Sequence, residues 1–242
     1  RPDQATRVQA LKLAKDAVMD YAKLRGFLVQ KSTVDVRAEM TIKPVEQLSV
    51  PAQTSGRKDA EQDLAVERAA QNAVSIVTGG PGRGKTHVVN RILAMYDAAG
   101  LSAFDATGLA APTGKAAIRM RELCGGRAAS TIHRLLKFHP EMGFRHNDQA
   151  PQFSDSGKWI TGGPVPYRVV IIDETSMVDI ELGAALVRGI ATGTRLVFVG
   201  DVDQLPSVGP GRVLFDMIQS GVVVVTRLLT IHRTAADSGI PY

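Results

Sequence analysis

Residues 79–86 read Gly-Gly-Pro-Gly-Arg-Gly-Lys-Thr, and this stretch decides the fold of the chain. It fits a phosphate-binding pattern: a glycine, four residues, a second glycine, a lysine, then a serine or threonine. Backbone N–H groups can close around a polyphosphate only where the chain is nearly free of Cβ atoms, which accounts for the glycines. The lysine of this pattern neutralises β- and γ-phosphate charge, and the hydroxyl holds Mg²⁺. The stretch therefore predicts a site for a nucleoside triphosphate.

The residues on either side predict a buried strand before this loop and a helix after it. The apolar run over 74–77 leads into the loop, and apolar residues at helical spacing follow it until Gly100, a natural helix end. The spaced residues are Val88, Val89, Ile92, Leu93 and Tyr96. We expect Lys85 to serve catalysis and the following residues to hold the nucleotide: Gly80, Pro81, Gly82, Arg83, Gly84, Lys85 and Thr86.

Composition favours a soluble, cytoplasmic protein. A chain of 242 residues with 44% hydrophobic content suits one large α/β domain, or one domain with a small appendage. No apolar stretch approaches the roughly 20 residues of a membrane span, and no signal-peptide layout opens the chain. The single cysteine, Cys124, cannot form an internal disulfide, as expected in a reducing compartment. The net charge of +5 is compatible with a polyanionic partner.

The pattern along the chain predicts a small N-terminal unit and one large domain. Residues 1–56 form an α+β appendage or the tail of a preceding domain, with a helix over 6–25 and an alternating, half-buried strand over 34–42. A polar linker over 53–58 precedes the main domain, which covers 57–242. The chain starts without methionine and ends without an obvious terminal element, so we expect a piece of a longer protein.

The main domain alternates strands with helices, which predicts a parallel sheet covered by helices on both faces. The segment over 139–167 interrupts this order, because it has no helical period and several glycines and prolines. We interpret it as an inserted hairpin, since a long irregular stretch in a compact domain is usually functional or holds short strands. The predicted sheet strands are 74–77, 103–111, 168–173, 195–200 and 222–229.

Two acids follow the apolar run over 169–172, at the sheet edge where open α/β folds bind ligands. Beside a phosphate loop, Asp173 is expected to hold Mg²⁺ together with Thr86. Glu174 is expected to orient and deprotonate the water that attacks the γ-phosphate. The alternative is a solvated loop that carries both acids without any catalytic role.

A third strand, over 196–199, delivers Gln204 to the same edge. An amide can donate a hydrogen bond to the terminal phosphate or to the attacking water, and it loses that partner on hydrolysis. Gln204 is therefore our candidate for a γ-phosphate sensor. The alternative is a polar turn without a ligand.

Five stretches of the chain share one resemblance: 79–86, 111–117, 130–136, 171–179 and 199–211. Together they resemble the first motor domain of the RecD-like superfamily 1 DNA helicases. They match the order and spacing of that family, which implies a RecA-like fold over roughly residues 59–240. Residues 61–66 also resemble the segment of that family that recognises adenine, which implies that Gln62 contacts the adenine base. Residues 229–233 resemble the segment whose arginine, here Arg233, reaches the γ-phosphate.

The resemblance also implies contacts with single-stranded DNA across the top of the domain. Helix N-termini and hydroxyl groups bind DNA phosphates, and a lysine adds positive charge. The alternative is that Thr131 and His133 only cap a helix begun by Ser130. The insertion occupies the place of a strand-parting hairpin, where Phe144 and Trp159 would stack on bases or only pack locally. The expected DNA-binding residues are Pro112, Thr113, Lys115, Thr131, His133 and Phe144.

The resemblance implies an ATP-dependent DNA helicase or translocase of DNA repair or recombination, moving 5′ to 3′ in the longer protein. Such motors need a second RecA-like domain, and we expect this chain alone to hydrolyse ATP slowly without unwinding. Other repair subunits are possible partners. Arg83 departs from the family, which usually has threonine there, so a cation lies beside the phosphates. Two other functions stay open: a small-molecule phosphotransferase and a nucleotide-gated DNA-binding module without efficient turnover.

Overall fold

The computed structural model describes residues 60–100 and 106–230. The predicted appendage over 1–56, the linker over 53–58 and Arg233 lie outside the described residues. The helices in the described part are α1 (Ala60–Gln71), α2 (Lys85–Ala98), α3 (Gly114–Leu123), α4 (Ile132–Leu135), α5 (Ile180–Gly189) and α6 (Val213–Gln219). The strands there are β1 (Val74–Thr78), β2 (Thr107–Ala111), β3 (Ala129–Thr131), β4 (Phe138–His139), β5 (Gly143–Phe144), β6 (Gln152–Phe153), β7 (Trp159–Thr161), β8 (Val169–Ile172), β9 (Arg195–Gly200) and β10 (Val224–Arg227).

Six strands form one parallel sheet in the order β10-β1-β9-β8-β2-β3. Each of the five predicted sheet strands is present, although the one expected to start at 103 is described from 107 onward. The sequence analysis missed β3, because three residues with one apolar member give no strand signal. β3 pairs with β2 from Leu109 to Ala111 and extends the sheet edge.

Helices cover both faces of this sheet, which confirms the predicted RecA-like α/β architecture. Val169 and Ile171 of β8 join a core with residues of α1, α2 and α3. Val170 and Ile172 join a second core with residues of α4, α5 and α6. Side chains alternate along a strand, so a continuous apolar run such as β8 supplies both cores at once.

The stretch predicted as an inserted hairpin, together with Phe138 directly before it, forms two short antiparallel pairs. β4 pairs with β5, and β6 pairs with β7. A parallel bridge between Val165 and Ile190 then returns the chain to the main domain. No helix in the described ranges is long and apolar enough to cross a bilayer.

The parallel order determines where polar side chains gather. The carboxyl ends of all six parallel strands lie at one edge of the sheet. The phosphate loop, both acids, Gln204 and the two predicted DNA-binding helix starts all follow these strand ends. In open α/β folds this edge is where ligands bind.

Candidate functional site

The phosphate loop has a backbone that only glycine accommodates. Gly82 and Gly84 have φ values of 74° and 83°, which L side chains disfavour, and Gly84 directly precedes α2. A Cβ on Gly79 would lie 2.8 Å from the carbonyl oxygen of Leu228. The loop can therefore pack against the end of β10 and still present N–H groups to a polyphosphate.

Lys85 and Thr86 are the first two residues of α2, so they stand where a helix start favours anions. The Lys85 Nζ donates hydrogen bonds to the carbonyl oxygens of Gly79 at 2.6 Å and Gly80 at 3.1 Å. The ammonium group therefore lies across the loop. No ion pair involving Lys85 occurs within the described part of the chain, which leaves its charge available to a phosphate.

Arg83 belongs to the loop by its backbone, but its side chain contacts the residues that follow β10. Its Nη1 donates to the carbonyl oxygens of Leu228 at 3.3 Å and Leu229 at 2.9 Å. The sequence analysis expected a cation beside the phosphates at this position. The structure instead engages that guanidinium with the segment that follows β10.

Asp173 follows β8 and is held by two backbone contacts. Its N–H donates to Ala110 O at 2.9 Å, and its Oδ1 accepts from the Glu174 N–H at 2.9 Å. Burial raises the pKa of the Asp173 carboxyl above its ordinary value, and the nearby Glu174 carboxylate acts in the same direction. The hydrogen bond from Glu174 N–H and the charges of Lys85 and Arg119 oppose that rise in pKa. Lys85 and Asp173 therefore lie near enough to interact electrostatically.

Glu174 has an uncommon left-handed backbone, with φ 52° and ψ 40°, at the start of a 3-10 turn over Thr175–Met177. The buried Thr175 hydroxyl contacts Ile172 O at 3.1 Å and Val199 O at 2.9 Å, which ties the turn to the ends of β8 and β9. Gly200 lets the turn approach closely, because a Cβ there would lie 3.2 Å from Thr175 N. Left-handed conformations of larger residues persist where surrounding contacts determine them.

The residues at this edge fit a magnesium–nucleotide complex. No group of three or more histidine, cysteine, aspartate or glutamate side chains that could hold a metal occurs in the described residues. Mg²⁺ bound with a nucleotide needs no such cluster, because it uses one or two carboxylates, phosphate oxygens and waters. Asp173 supplies a carboxylate and Thr86 supplies a hydroxyl beside the glycine cradle.

The Gln204 side chain is restrained within its own turn. Its Nε2 donates to Asp201 Oδ2 at 3.2 Å, and Asp201 is 1% exposed. The other Asp201 oxygen accepts from the Asp203 N–H at 3.1 Å. Gln62 is buried on α1, next to Glu61. The sequence analysis did not identify Asp201, although its position directly after β9 matches that of Asp173 after β8.

The two predicted DNA-binding helix starts are adjacent, because β2 and β3 are neighbours in the sheet. Thr113 caps α3 by accepting from Ala116 N at 3.2 Å, and Thr131 caps α4 by accepting from Arg134 N at 3.2 Å. The Thr131 hydroxyl thus makes a capping contact of the alternative interpretation, although α4 starts after Thr131 rather than at Ser130. Lys115 is exposed and Pro112 is half-buried at the same surface.

His133 and Phe144 belong to an aromatic cluster that also contains Phe138. The ring centroids of His133 lie 5.4 Å from Phe138 and 5.6 Å from Phe144, and the two phenylalanines are 4.9 Å apart. The sequence analysis missed Phe138, which is 46% exposed and faces Phe144 across the β4–β5 pair. Trp159 instead packs locally, with the Lys137 Nζ 4.8 Å from its ring centroid.

Comparisons with known proteins agree with this geometry. The chain matches the AAA domain family over residues 62–210. It is 35% identical over 192 residues to the ATP-dependent RecD2 DNA helicase of Deinococcus radiodurans, covering 79% of this chain and 24% of that protein. It is 37% identical over 195 residues to the RecBCD enzyme subunit RecD of Mycobacterium tuberculosis, covering 72% of this chain and 32% of that subunit. These matches confirm the resemblance to RecD-like helicases.

A solved structure is also similar to this chain. The crystal structure of Pif1 helicase from Candida albicans aligns with a TM-score of 0.49 and 23% identity, covering 74% of this chain and 41% of that one. The chain thus spans less than half of that structure, and about a quarter to a third of the two curated relatives.

Proposed function

The chain belongs to the AAA domain family, and on that premise we propose that it is the first motor domain of an ATP-dependent DNA helicase or translocase. One observation carries the proposal. The phosphate loop with Lys85 and the acid Asp173 both follow strand ends at the same sheet edge that carries the helix starts at Thr113 and Thr131. A nucleotide and a nucleic acid strand would then bind side by side.

The chemistry proposed is hydrolysis of ATP to ADP and phosphate. Glu174 would orient the attacking water and accept its proton, while Lys85 would neutralise charge on the β- and γ-phosphates. Mg²⁺ held by Thr86 and Asp173 would supply further charge neutralisation. We assign the adenine to Gln62, by resemblance, and the phosphates to the loop residues Gly80, Pro81, Gly82, Arg83 and Gly84 through their backbone.

Coupling to DNA is proposed through two sensors. Gln204 and Arg233 would contact the γ-phosphate and lose that contact after hydrolysis. Single-stranded DNA would cross Pro112, Lys115 and the aromatic cluster, whose rings can stack on bases of any sequence.

The whole protein is proposed to work as a two-domain motor. A second RecA-like domain would close on the nucleotide held by this one. Movement from 5′ to 3′ is assigned by resemblance, and the RecBCD membership of the Mycobacterium tuberculosis relative favours other repair subunits as partners. DNA repair or recombination in the cytoplasm would be the setting.

ATPase activity of the full-length protein, with and without single-stranded DNA, tests the proposal. We expect DNA to stimulate turnover, and Glu174→Gln to lower kcat by about 10²–10⁴ while ATP still binds. Glu181→Gln alters an exposed acid on α5 and serves as the matched control. Phosphate transfer to a small molecule without a response to DNA would indicate a phosphotransferase. ATP-gated DNA binding without turnover would indicate a binding module.

A further inference from the structure

The backbone of Leu229 is held at both its N–H and its carbonyl group by charged side chains. Its N–H donates to Glu61 Oε2 at 2.6 Å, and its carbonyl oxygen accepts from Arg83 Nη1 at 2.9 Å. Hydrogen bonds to ionised groups are shorter and stronger than those between neutral groups. Glu61 lies on α1 next to Gln62, and Arg83 lies in the phosphate loop. Two segments expected to bind nucleotide therefore both contact the backbone of Leu229.

The neighbouring residues strengthen this arrangement. We call residues 228–230 the β10 end segment. The Thr230 N–H also donates to Glu61 Oε2, at 3.2 Å, and Leu228 O also accepts from Arg83, at 3.3 Å. The Leu228 N–H donates to Thr78 O at 2.8 Å, directly before the phosphate loop. Every residue of the β10 end segment is thus tied to α1, β1 or the loop.

The length of the arginine is essential to this geometry. The contact is made by Nη1 at the end of the side chain, which folds back past Gly79 and Gly80. A Cβ on Gly80 would lie 3.1 Å from Arg83 Nε, so the absent side chain leaves that path open. Threonine, the residue usual in the resembling family, ends at its γ atoms and cannot extend to these carbonyls. The contact is consequently a property of this chain's own residue.

We propose that Arg83 is a positioning residue that couples the phosphate loop to the β10 end segment. The inference rests on the proposed function and adds a mechanical link to it. A guanidinium has donors in a fixed plane, so its two carbonyl contacts persist only while the loop and the segment move together. A change in the loop on nucleotide binding would therefore shift residues 228–230.

Arg83→Met in the full-length protein tests this link, with ADP as the binding probe. We expect amide hydrogen exchange at Leu229 and Thr230 to become about tenfold faster, because the segment loses one of its two side-chain anchors. We expect kcat for ATP to fall about fivefold or more, with KM for ATP and Kd for ADP changing by less than about twofold. Arg83→Lys keeps a charged donor of similar reach and should recover part of the exchange protection.

Arg68→Met is the matched control. The Arg68 Nη1 also contacts β10, at Val225 O (2.7 Å) and Thr226 Oγ1 (3.2 Å), but upstream of the β10 end segment. We expect this change to leave exchange at Leu229 and Thr230 and the ATPase rate within about twofold of the original protein.

Two results would overturn the inference. A Kd for ADP weakened about tenfold or more in Arg83→Met, with unchanged exchange at 229 and 230, would make Arg83 a phosphate ligand. Equal losses in Arg83→Met and Arg68→Met would indicate general support of β10. The exchange measurement needs no DNA, so it tests the Arg83 link independently of the helicase proposal. A missing ATPase response to DNA would contradict the helicase proposal and leave the exchange result unaffected.

Discussion

The side-chain amide of Gln204 donates a hydrogen bond to the carboxylate of Asp201 across 3.2 Å. Asp201 is buried directly after β9, whereas Gln204 is exposed, so a buried acceptor restrains an exposed donor at the sheet edge proposed to bind the nucleotide. A γ-phosphate or an attacking water would compete with Asp201 for the same N–H groups. Such competition is what the proposed γ-phosphate sensor requires.

Gln204→Ala removes the proposed sensor and is expected to reduce the stimulation of ATPase activity by DNA. DNA-stimulated ATPase activity should fall about tenfold or more, because the transition state loses an oriented donor, while Kd for ADP stays within about twofold. Steady-state kinetics with and without single-stranded DNA would measure this. Gln71→Ala, an exposed glutamine on α1, is the control. Full stimulation in Gln204→Ala would rule out the sensor role.

Asp173→Asn is expected to stabilise the protein at neutral pH when nucleotide and Mg²⁺ are absent. Because burial raises its pKa, folded Asp173 holds its proton more tightly than the unfolded chain does. The free energy of unfolding therefore falls as pH rises from 3.8 through the higher folded pKa. Asp173→Asn removes the charge and therefore removes this loss in the free energy of unfolding. Each 1 kcal/mol gained in the free energy of unfolding raises Tm by about 2–4 °C for a domain of this size.

Thermal unfolding across pH measures this effect. The Tm difference between Asp173→Asn and the original protein should be largest near pH 7 and shrink as pH falls toward 3.8. Asp203→Asn changes an exposed acid at the same edge and serves as the control. A lower Tm for Asp173→Asn at neutral pH would contradict the expected cost of the buried charge.

Phe138→Ala is expected to weaken binding of single-stranded DNA by about 5- to 150-fold, because stacking of a base on an aromatic ring contributes about 1–3 kcal/mol. The slope of log affinity against log salt should not change, since the ring neutralises no phosphate. Fluorescence anisotropy across a salt series measures both quantities. Phe153→Ala, exposed on β6 outside the aromatic cluster, is the control. An equal effect from both changes would argue against a specific contact by the cluster.

Lys115→Ala is expected to change the salt dependence of the affinity for single-stranded DNA. Loss of one phosphate contact should reduce the steepness of the salt slope for single-stranded DNA by about 0.7. The loss of affinity should be similar for all sequences, because phosphates carry no base information. Lys158→Ala removes an exposed lysine from the second strand pair of the insertion, as a charge-matched control. An unchanged salt slope in Lys115→Ala would show that Lys115 does not contact a DNA phosphate.

Most of the sheet, and the polar residues that follow its strand ends, could be predicted because their signals are local. The apolar run over 169–172 indicated a strand buried on both faces, and Gly100 marked the end of α2 correctly. β3 could not be found this way, since a three-residue strand is created by its pairing with β2. Phe138 was missed for a similar reason, because its cluster joins α4 to the β4–β5 pair.

The sequence by itself determined the phosphate loop, the order of strands and helices along the chain, and the acids at strand ends. Spacing along the chain encodes these features, because the periods of helices and strands and the need for glycine are short-range properties. Only the tertiary structure decided that Arg83 contacts Leu229 and that Gln204 rests on Asp201. A long side chain reaches several possible partners, and the packing of α1, β1 and β10 selects among them.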